Sequence, residues 1–319
     1  MQTSIRVSSG TAGVLGLLEG RLDAPPTTAY LMVGGRCRRT CAFCAQANNS
    51  KASAAALSRV NWPSWSEDQV LSALEEAYLS GKIERCCLQV TVSPGYLQRV
   101  KAIATGVCKQ IPLGASVVAD VGEVGALLEA GLDRVGLSLD AVNEESYQRV
   151  KGGDLSAALS VLEEAAYRYP GRIVTHLVAG LGESEEDMAR MMARLQNWGV
   201  TTALFAFTPI PGTAMAGEPP PPVDSYRRIQ IAQYLIVRGL TTVEEFAFSR
   251  RGRIVSYGLP DYELRQILSD GEAFQTSGCP GCNRPYYNEP PGGPLYNYPH
   301  SLTHDEAQRA LDAALSGAL

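Results

Sequence analysis

The chain of 319 residues carries 28 Lys+Arg against 33 Asp+Glu, a net charge of −5, which singles out no partner by charge and gives no broad basic face for nucleic acid. With 45% hydrophobic and 19% charged residues it can bury a sizeable core, and no apolar run reaches the roughly 18 residues of a membrane-crossing helix. The opening MQTSIRVSSG lacks the basic-then-apolar pattern of a secretory leader, so a soluble, cytoplasmic protein is expected, with its eight cysteines as reduced thiols.

Short apolar runs alternate with amphipathic stretches of helical length, the pattern of repeated βα units. Strands are predicted over residues 29–33, 86–92, 111–118, 134–139, 173–179 and 203–209. Helices are predicted over 66–80, 121–130, 144–150, 155–169, 184–198 and 225–238, the first opening on Ser66 as N-cap before Glu67 and Asp68. Weaker patterns give a seventh strand over 253–257, a helix over 261–268 and an eighth strand over 273–276. The predicted fold is α/β: a TIM-like (β/α) barrel, complete or nearly so, over 29–275. An N-terminal extension over 1–28 precedes it, and a cysteine-containing extension over 276–319 closes it. Polar or glycine-rich features follow several strands at once, at Gly34-Gly35, Asp140, Gly180-Leu-Gly-Glu183 and Pro211-Gly-Thr, which clusters chemistry at the carboxyl ends of the strands.

Directly after the first strand, Gly35-Arg-Cys37-Arg-Arg-Thr-Cys41-Ala-Phe-Cys44 places three thiols within eight residues. Three thiolates can hold three irons of a 4Fe–4S cluster and leave the fourth open to an outside ligand. A structural zinc site wants four ligands, and no fourth Cys or His stands nearby in sequence. Arg36, Arg38 and Arg39, interleaved with the thiols, fit poorly with a dry core and read as a solvated or carboxylate-binding loop.

This C-x3-C-x2-C spacing, with Phe43 before the last cysteine, resembles the signature of the radical S-adenosylmethionine superfamily. The resemblance implies a 4Fe–4S cluster on Cys37, Cys41 and Cys44. Its open iron binds S-adenosylmethionine, and one electron cleaves the sulfonium to give a 5′-deoxyadenosyl radical that abstracts a substrate hydrogen. Three later segments agree with the family order. Ser138-Leu-Asp140 resembles the ribose-binding position. His176-Leu-Val-Ala-Gly180-Leu-Gly182-Glu183 resembles the segment flanking the adenine, and Thr208-Pro-Ile-Pro-Gly212-Thr213 resembles the sixth-strand turn of biotin synthase and its relatives.

Near the end of the barrel, Gly278-Cys279-Pro-Gly-Cys282 supplies a second thiol pair. A zinc knuckle would draw a second pair from Cys86, Cys87, Cys108 or the histidines at 176, 300 and 304. A redox disulfide fits poorly with Pro285 and the glycines that follow, and an auxiliary iron–sulfur cluster is favoured. Neighbours on a strand face opposite sides, so only one of Cys86 and Cys87 can enter the barrel. The resemblance to biotin synthase points to Cys87. A non-cysteine group, such as an arginine of Ser249-Arg-Arg-Gly-Arg253 or a water, would complete the set. Cys108 reads as a buried small hydrophobe, and His176 as facing the cavity or as a core histidine.

The chain departs from biotin synthase in having no cysteine in its third or fifth strand, and from single-chain lipoyl synthases in having none before Cys37. The Tyr-, Asn-, Pro- and Gly-rich stretch over 279–299 resembles the tail of the two-component lipoyl synthases of archaea and some bacteria. That resemblance implies sulfur insertion into a protein-bound octanoyl chain from a sacrificial second 4Fe–4S cluster. It also implies an octanoylated carrier domain as substrate, a sister synthase, and ferredoxin or flavodoxin as electron donor. Biotin synthase acting on dethiobiotin and a radical mutase or lyase without sulfur transfer are the alternatives; a non-enzymatic redox sensor is the reading from another class.

Overall fold

The computed structural model describes residues 3–107, 109–289 and 292–316. The chain opens with β1 (Ser4–Val7), α1 (Ser9–Val14) and β2 (Thr28–Val33), then three short strands, β3 (Ala56–Leu57), β4 (Val60–Asn61) and β5 (Ser64–Ser66), and α2 (Glu67–Leu79). The repeating part follows: β6 (Arg85–Val90), α3 (Tyr96–Gly106), β7 (Leu113–Val117), α4 (Val121–Glu129), β8 (Arg134–Leu137), α5 (Glu144–Val150) and α6 (Leu155–Arg168). It continues with β9 (Ile173–Ala179), α7 (Glu185–Asn197), β10 (Thr201–Ala206) and α8 (Val223–Val237). A hairpin of β11 (Ala247–Phe248) and β12 (Ile254–Ser256), then α9 (Asp261–Ile267) and α10 (His304–Leu315), complete the elements.

Side-chain caps fix where these helices begin. Ser66 accepts from the Gln69 amide, and Asp120 with Glu123, and Ser184 with Asp187, form reciprocal capping boxes. The main sheet runs in the order β10-β9-β8-β7-β6-β2-β1-β5. The six strands from β2 through β6 to β10 are parallel, and β1 and β5 add an antiparallel margin at the β2 side. Alternation sorts each strand into two faces. In β2, Ala29, Leu31 and Val33 join the core beneath the helices, whereas Tyr30 and Met32 turn to the inner side.

The expected seventh and eighth strands are corrected. Residues 253–257 give β12, which pairs antiparallel with β11 in a separate hairpin. The amide of Ile254 is taken by the Glu185 carboxylate and Ser249 N donates to Arg253 O, so this backbone is committed away from the main sheet. At 273–276 a 3-10 turn (Glu272–Phe274) stands instead. Its amides bond locally, Phe274 N to Gly271 O (3.0 Å) and Gln275 N to Glu272 O (3.1 Å), rather than to the sheet. Among the described residues the parallel strands therefore form an open sheet, with no ladder between β10 and β2.

The gap between those two edges is spanned by the chain over 277–289. On the β10 side, Leu204 N donates to Ser277 Oγ (3.1 Å), Arg284 Nη2 to Leu204 O (3.2 Å) and Asn288 Nδ2 to Ala206 O (2.8 Å). On the β2 side, Thr27 Oγ1 donates to Gly281 O (2.6 Å), Thr27 N to Asn283 Oδ1 (3.0 Å) and Ser58 Oγ to Tyr287 O (2.6 Å). The strap satisfies an edge strand through side chains where another strand would use backbone. Buried Glu289 anchors its end by accepting from the amides of Asn288, Tyr296 and Asn297. Among the described residues, no helix is long and apolar enough to cross a membrane.

Candidate active site

The inner side of the sheet and the strap enclose one cavity of about 290 Å³, walled at one end by Cys37, Cys41, Cys44 and Phe43 and at the other by Cys87, Cys279 and Cys282. Cys37, Cys41 and Cys44 thus meet one space with Cys87 and with Cys279 and Cys282, the last two more than 200 residues away in sequence.

The first group rides on the loop after β2. Cys37 N donates to Gln46 O (3.0 Å), Ala42 N to Val150 O (2.7 Å) and Cys44 N to Cys41 O (3.1 Å), folding the loop back on itself and onto the end of α5. Arg36 donates to Ala45 O (2.7 Å) and Ala52 O (3.0 Å), and Arg6 reaches Gly34 O (2.6 Å), so these guanidiniums brace the loop from within. Arg39 faces the cavity. The turn at Gly212 docks from the other side through Lys51 N, which donates to Gly212 O (2.8 Å). At Gly212 φ is +88°, and an added Cβ would lie 2.5 Å from Ala52 N, so only glycine fits there. Burial, followed by the neighbouring Cys41 and Cys37, pushes the Cys44 thiol up to about 12 against one hydrogen bond from Gln46. Three thiols gathered on one folded loop at the cavity wall fit an iron cluster bound by three cysteines.

Beside the loop, Asp140 stands at φ +66° just past β8 and accepts from Lys151 Nζ (2.6 Å), which also donates to Ser138 O. Burial works against the Lys151 charge, but the Asp140 carboxylate and then Cys41 outweigh it and hold the ammonium above its usual range. Lys151 was not anticipated from sequence; its only signal is its place before Gly152-Gly153 at the end of a helix whose start follows Asp140. Ser138 Oγ lies 3.1 Å from His176 Nδ1 and 3.0 Å from Ser116 Oγ, a hydroxyl–imidazole chain across β7, β8 and β9. Burial lowers the His176 ring to about 4, so it is neutral at pH 7; it packs edge-on to Phe205 at 5.2 Å.

Gly180, Gly182 and Glu183 are outside the cavity wall. The Glu183 carboxylate accepts from Gly180 N (2.6 Å) and Leu181 N (2.9 Å), pinning the turn, while Gly180 packs on Pro221 and Phe207 and Gly182 on the Arg149 guanidinium.

At the far end Cys87 faces inward and Cys86 lies in the core beneath the helices, as alternation requires. Cys87 is three residues before the end of β6, a depth of about 10 Å at ~3.3 Å per residue. Arg85 donates to Pro280 O (3.3 Å) and pairs with Asp133 (3.1 Å). Arg284 lies over the Phe205 ring at 4.1 Å, with Nη1 3.6 Å from Cys282 Sγ. Tyr30 OH is 3.2 Å from the same sulfur. Burial raises Cys279, while Arg85, Arg134 and Arg284 favour its thiolate. The arginine at the thiols is therefore Arg284, which corrects the expectation from the segment Ser249-Arg-Arg-Gly-Arg253. There Gly252 O accepts from Glu186 N at the start of α7 and Arg253 reaches Ser316 O, which turns that segment away. Three thiols, two flanking arginines and a buried Tyr287 hydroxyl with no partner among the described residues fit an anionic iron–sulfur group. Among the described residues no three His, Cys, Asp or Glu side chains converge closely enough to hold a single metal ion. Cys108 lies outside the described residues.

An α/β sheet carrying a three-cysteine loop at the carboxyl end of its first parallel strand defines an enzyme whose chemistry begins at that loop. The chain belongs to the Radical SAM superfamily, whose family model matches residues 31–195, just over half of it. That family implies a 4Fe–4S cluster and S-adenosylmethionine. A biotin synthase from Magnetococcus marinus is 25% identical over 170 residues, covering 51% of this chain and 50% of that protein. The chain thus matches about half the length of this curated relative. In fold it is similar to the FeFe-hydrogenase maturase HydG from Carboxydothermus hydrogenoformans, with a TM-score of 0.54 and 15% identity over 66% of this chain and 51% of that one. Methylornithine synthase gives a TM-score of 0.51 and 14% identity over 72% of this chain and 66% of that one.

Proposed function

We propose that this chain is a sulfur-inserting radical S-adenosylmethionine enzyme, a lipoyl synthase component that adds sulfur to a protein-bound octanoyl chain. The observation that carries this reading is the single cavity joining the Cys37, Cys41 and Cys44 loop to the Cys87, Cys279 and Cys282 group. When bound, the first cluster and S-adenosylmethionine supply a carbon radical able to take hydrogen from an unactivated C–H bond, which no general base of this chain could do. Cys87, Cys279 and Cys282 would hold a second 4Fe–4S cluster as the sulfur source. Between the two ends, Met32, Val174 and Phe205 offer an apolar wall to an acyl chain, and neutral Ser116, Ser138 and His176 can accept or donate hydrogen bonds without adding charge. Asp140 and Lys151 stand at the loop end, where ribose hydroxyls or a carboxylate could be held.

An octanoylated carrier domain is then the substrate, a sister synthase performs one of the two insertions, and ferredoxin or flavodoxin supplies electrons. The similarity to biotin synthase favours a second reading, insertion into free dethiobiotin. Replacement of Cys279 or Cys282 by alanine should abolish thiolated product while S-adenosylmethionine cleavage continues. Product formed at the wild-type rate by both variants would refute the reading, and octanoyl-peptide against dethiobiotin as substrate separates its two forms.

A further inference from the structure

We infer that the Tyr287 hydroxyl donates a hydrogen bond to the iron–sulfur group held by Cys87, Cys279 and Cys282; this rests on the second-cluster reading above. Tyr287 is 9% exposed, and its hydroxyl is buried without a partner among the described residues. A buried hydroxyl left unpaired bears its full desolvation cost, so an acceptor is called for at that spot. The ring cannot swing away to find one: it is wedged against Tyr30 (5.8 Å between centroids) and Trp62 (6.3 Å, edge-on), and its carbonyl accepts from Ser58. The ring lines the cavity together with Cys87 and Cys282, and both cysteines pack against the cluster that Tyr287 forms with Tyr30, Met32 and Trp62. Sulfur is thus the acceptor chemistry on this wall, and Cys282 already has Tyr30 OH at 3.2 Å. A phenol facing thiolate and sulfide sulfur makes a charge-assisted hydrogen bond, and such bonds raise the reduction potential of iron–sulfur groups by stabilising the more negative state. Tyr287 is thus a positioning residue that sets how readily this group accepts an electron.

The test uses the full chain with Cys37, Cys41 and Cys44 replaced by alanine, reconstituted anaerobically, so that only the second group is read. Tyr287→Phe keeps the ring and removes the hydroxyl. The expected result is unchanged iron content, a more negative midpoint potential, and loss of one strongly coupled exchangeable proton in electron–nuclear double resonance after transfer to D2O. Incorporation of 3-fluorotyrosine at 287, a stronger donor of nearly the same shape, should move the midpoint the other way. An unchanged midpoint and unchanged proton coupling in both proteins, with iron retained, would overturn the inference alone. A background protein that holds no iron at all would overturn the second-cluster reading and this inference with it.

Discussion

The pair Lys151 and Asp140 is the most consequential charge arrangement at the loop end of the cavity, and its worth can be isolated. Their side chains are 6% and 12% exposed and 2.6 Å apart. Lys151→Met keeps most of the stem volume but leaves a nearly buried carboxylate without its cation, a change that costs about 3–5 kcal/mol in comparable pairs. Asp140→Asn is the matched perturbation, because asparagine tolerates the left-handed backbone at φ +66° that most residues resist. It removes the charge while leaving Lys151 the Ser138 carbonyl, so a cost of about 1–3 kcal/mol is expected. The double variant removes both charges together and should lie within about 1 kcal/mol of wild type. Urea unfolding of the iron-free, reduced protein at pH 7.5 gives all four corners of this cycle. Costs of the two single changes that simply add in the double variant would show that the ions do not depend on each other, and would refute the reasoning.

His176, held neutral with its ring at about 4 against an unfolded value near 6.5, binds protons in the unfolded state first, so its contribution is present above pH 6.5 and is lost as pH falls toward 4. Between pH 7 and 5 wild type should lose about 2 kcal/mol more than His176→Gln in urea unfolding, and equal losses would reject the assignment. Gly212→Ala forces a Cβ onto the Ala52 amide at a left-handed position, so a cost of at least about 1–2 kcal/mol is expected. In a background lacking Cys279 and Cys282, the same change should reduce the iron held by Cys37, Cys41 and Cys44; full iron and wild-type stability would remove the docking role of this turn.

What the amino-acid order made legible follows from the range of the interactions involved. The six parallel strands are short, largely apolar and bounded by turns, and the capped helices between them announce themselves within a few residues, so both were predictable from local pattern. Helix α3 was not: it starts after Gly95 with no side-chain cap, and only Val100 and Ile103 of it are fully buried. The weak patterns over 253–257 and 273–276 misled because hydrophobicity alone does not say where a backbone amide finds its acceptor. Here Glu185, from an element more than 60 residues away, decides the matter for Ile254. The cysteine loop was legible because its chemistry needs three thiols in eight residues; strand alternation left one of Cys86 and Cys87 for the interior, and the resemblance to biotin synthase singled out Cys87. Lys151, Arg284 and Tyr287 were not, since each acts through a partner that only the fold brings near.

The same distinction explains why the strap carries chemistry as well as structure. A seventh and an eighth strand would fill the interior with their own alternating side chains, as closed barrels do. A segment that bonds β10 and β2 through Ser277, Asn283 and Asn288 need not alternate, and so can present Cys279, Cys282, Arg284 and Tyr287 together toward the deep end of the cavity. An open sheet completed by an irregular wall thus leaves space between two thiol groups, where a closed barrel would leave a packed core. Substrate entering that space meets the loop-end thiols near the strand termini and, about 10 Å below the end of β6, Cys87 together with the strap thiols that line the same cavity.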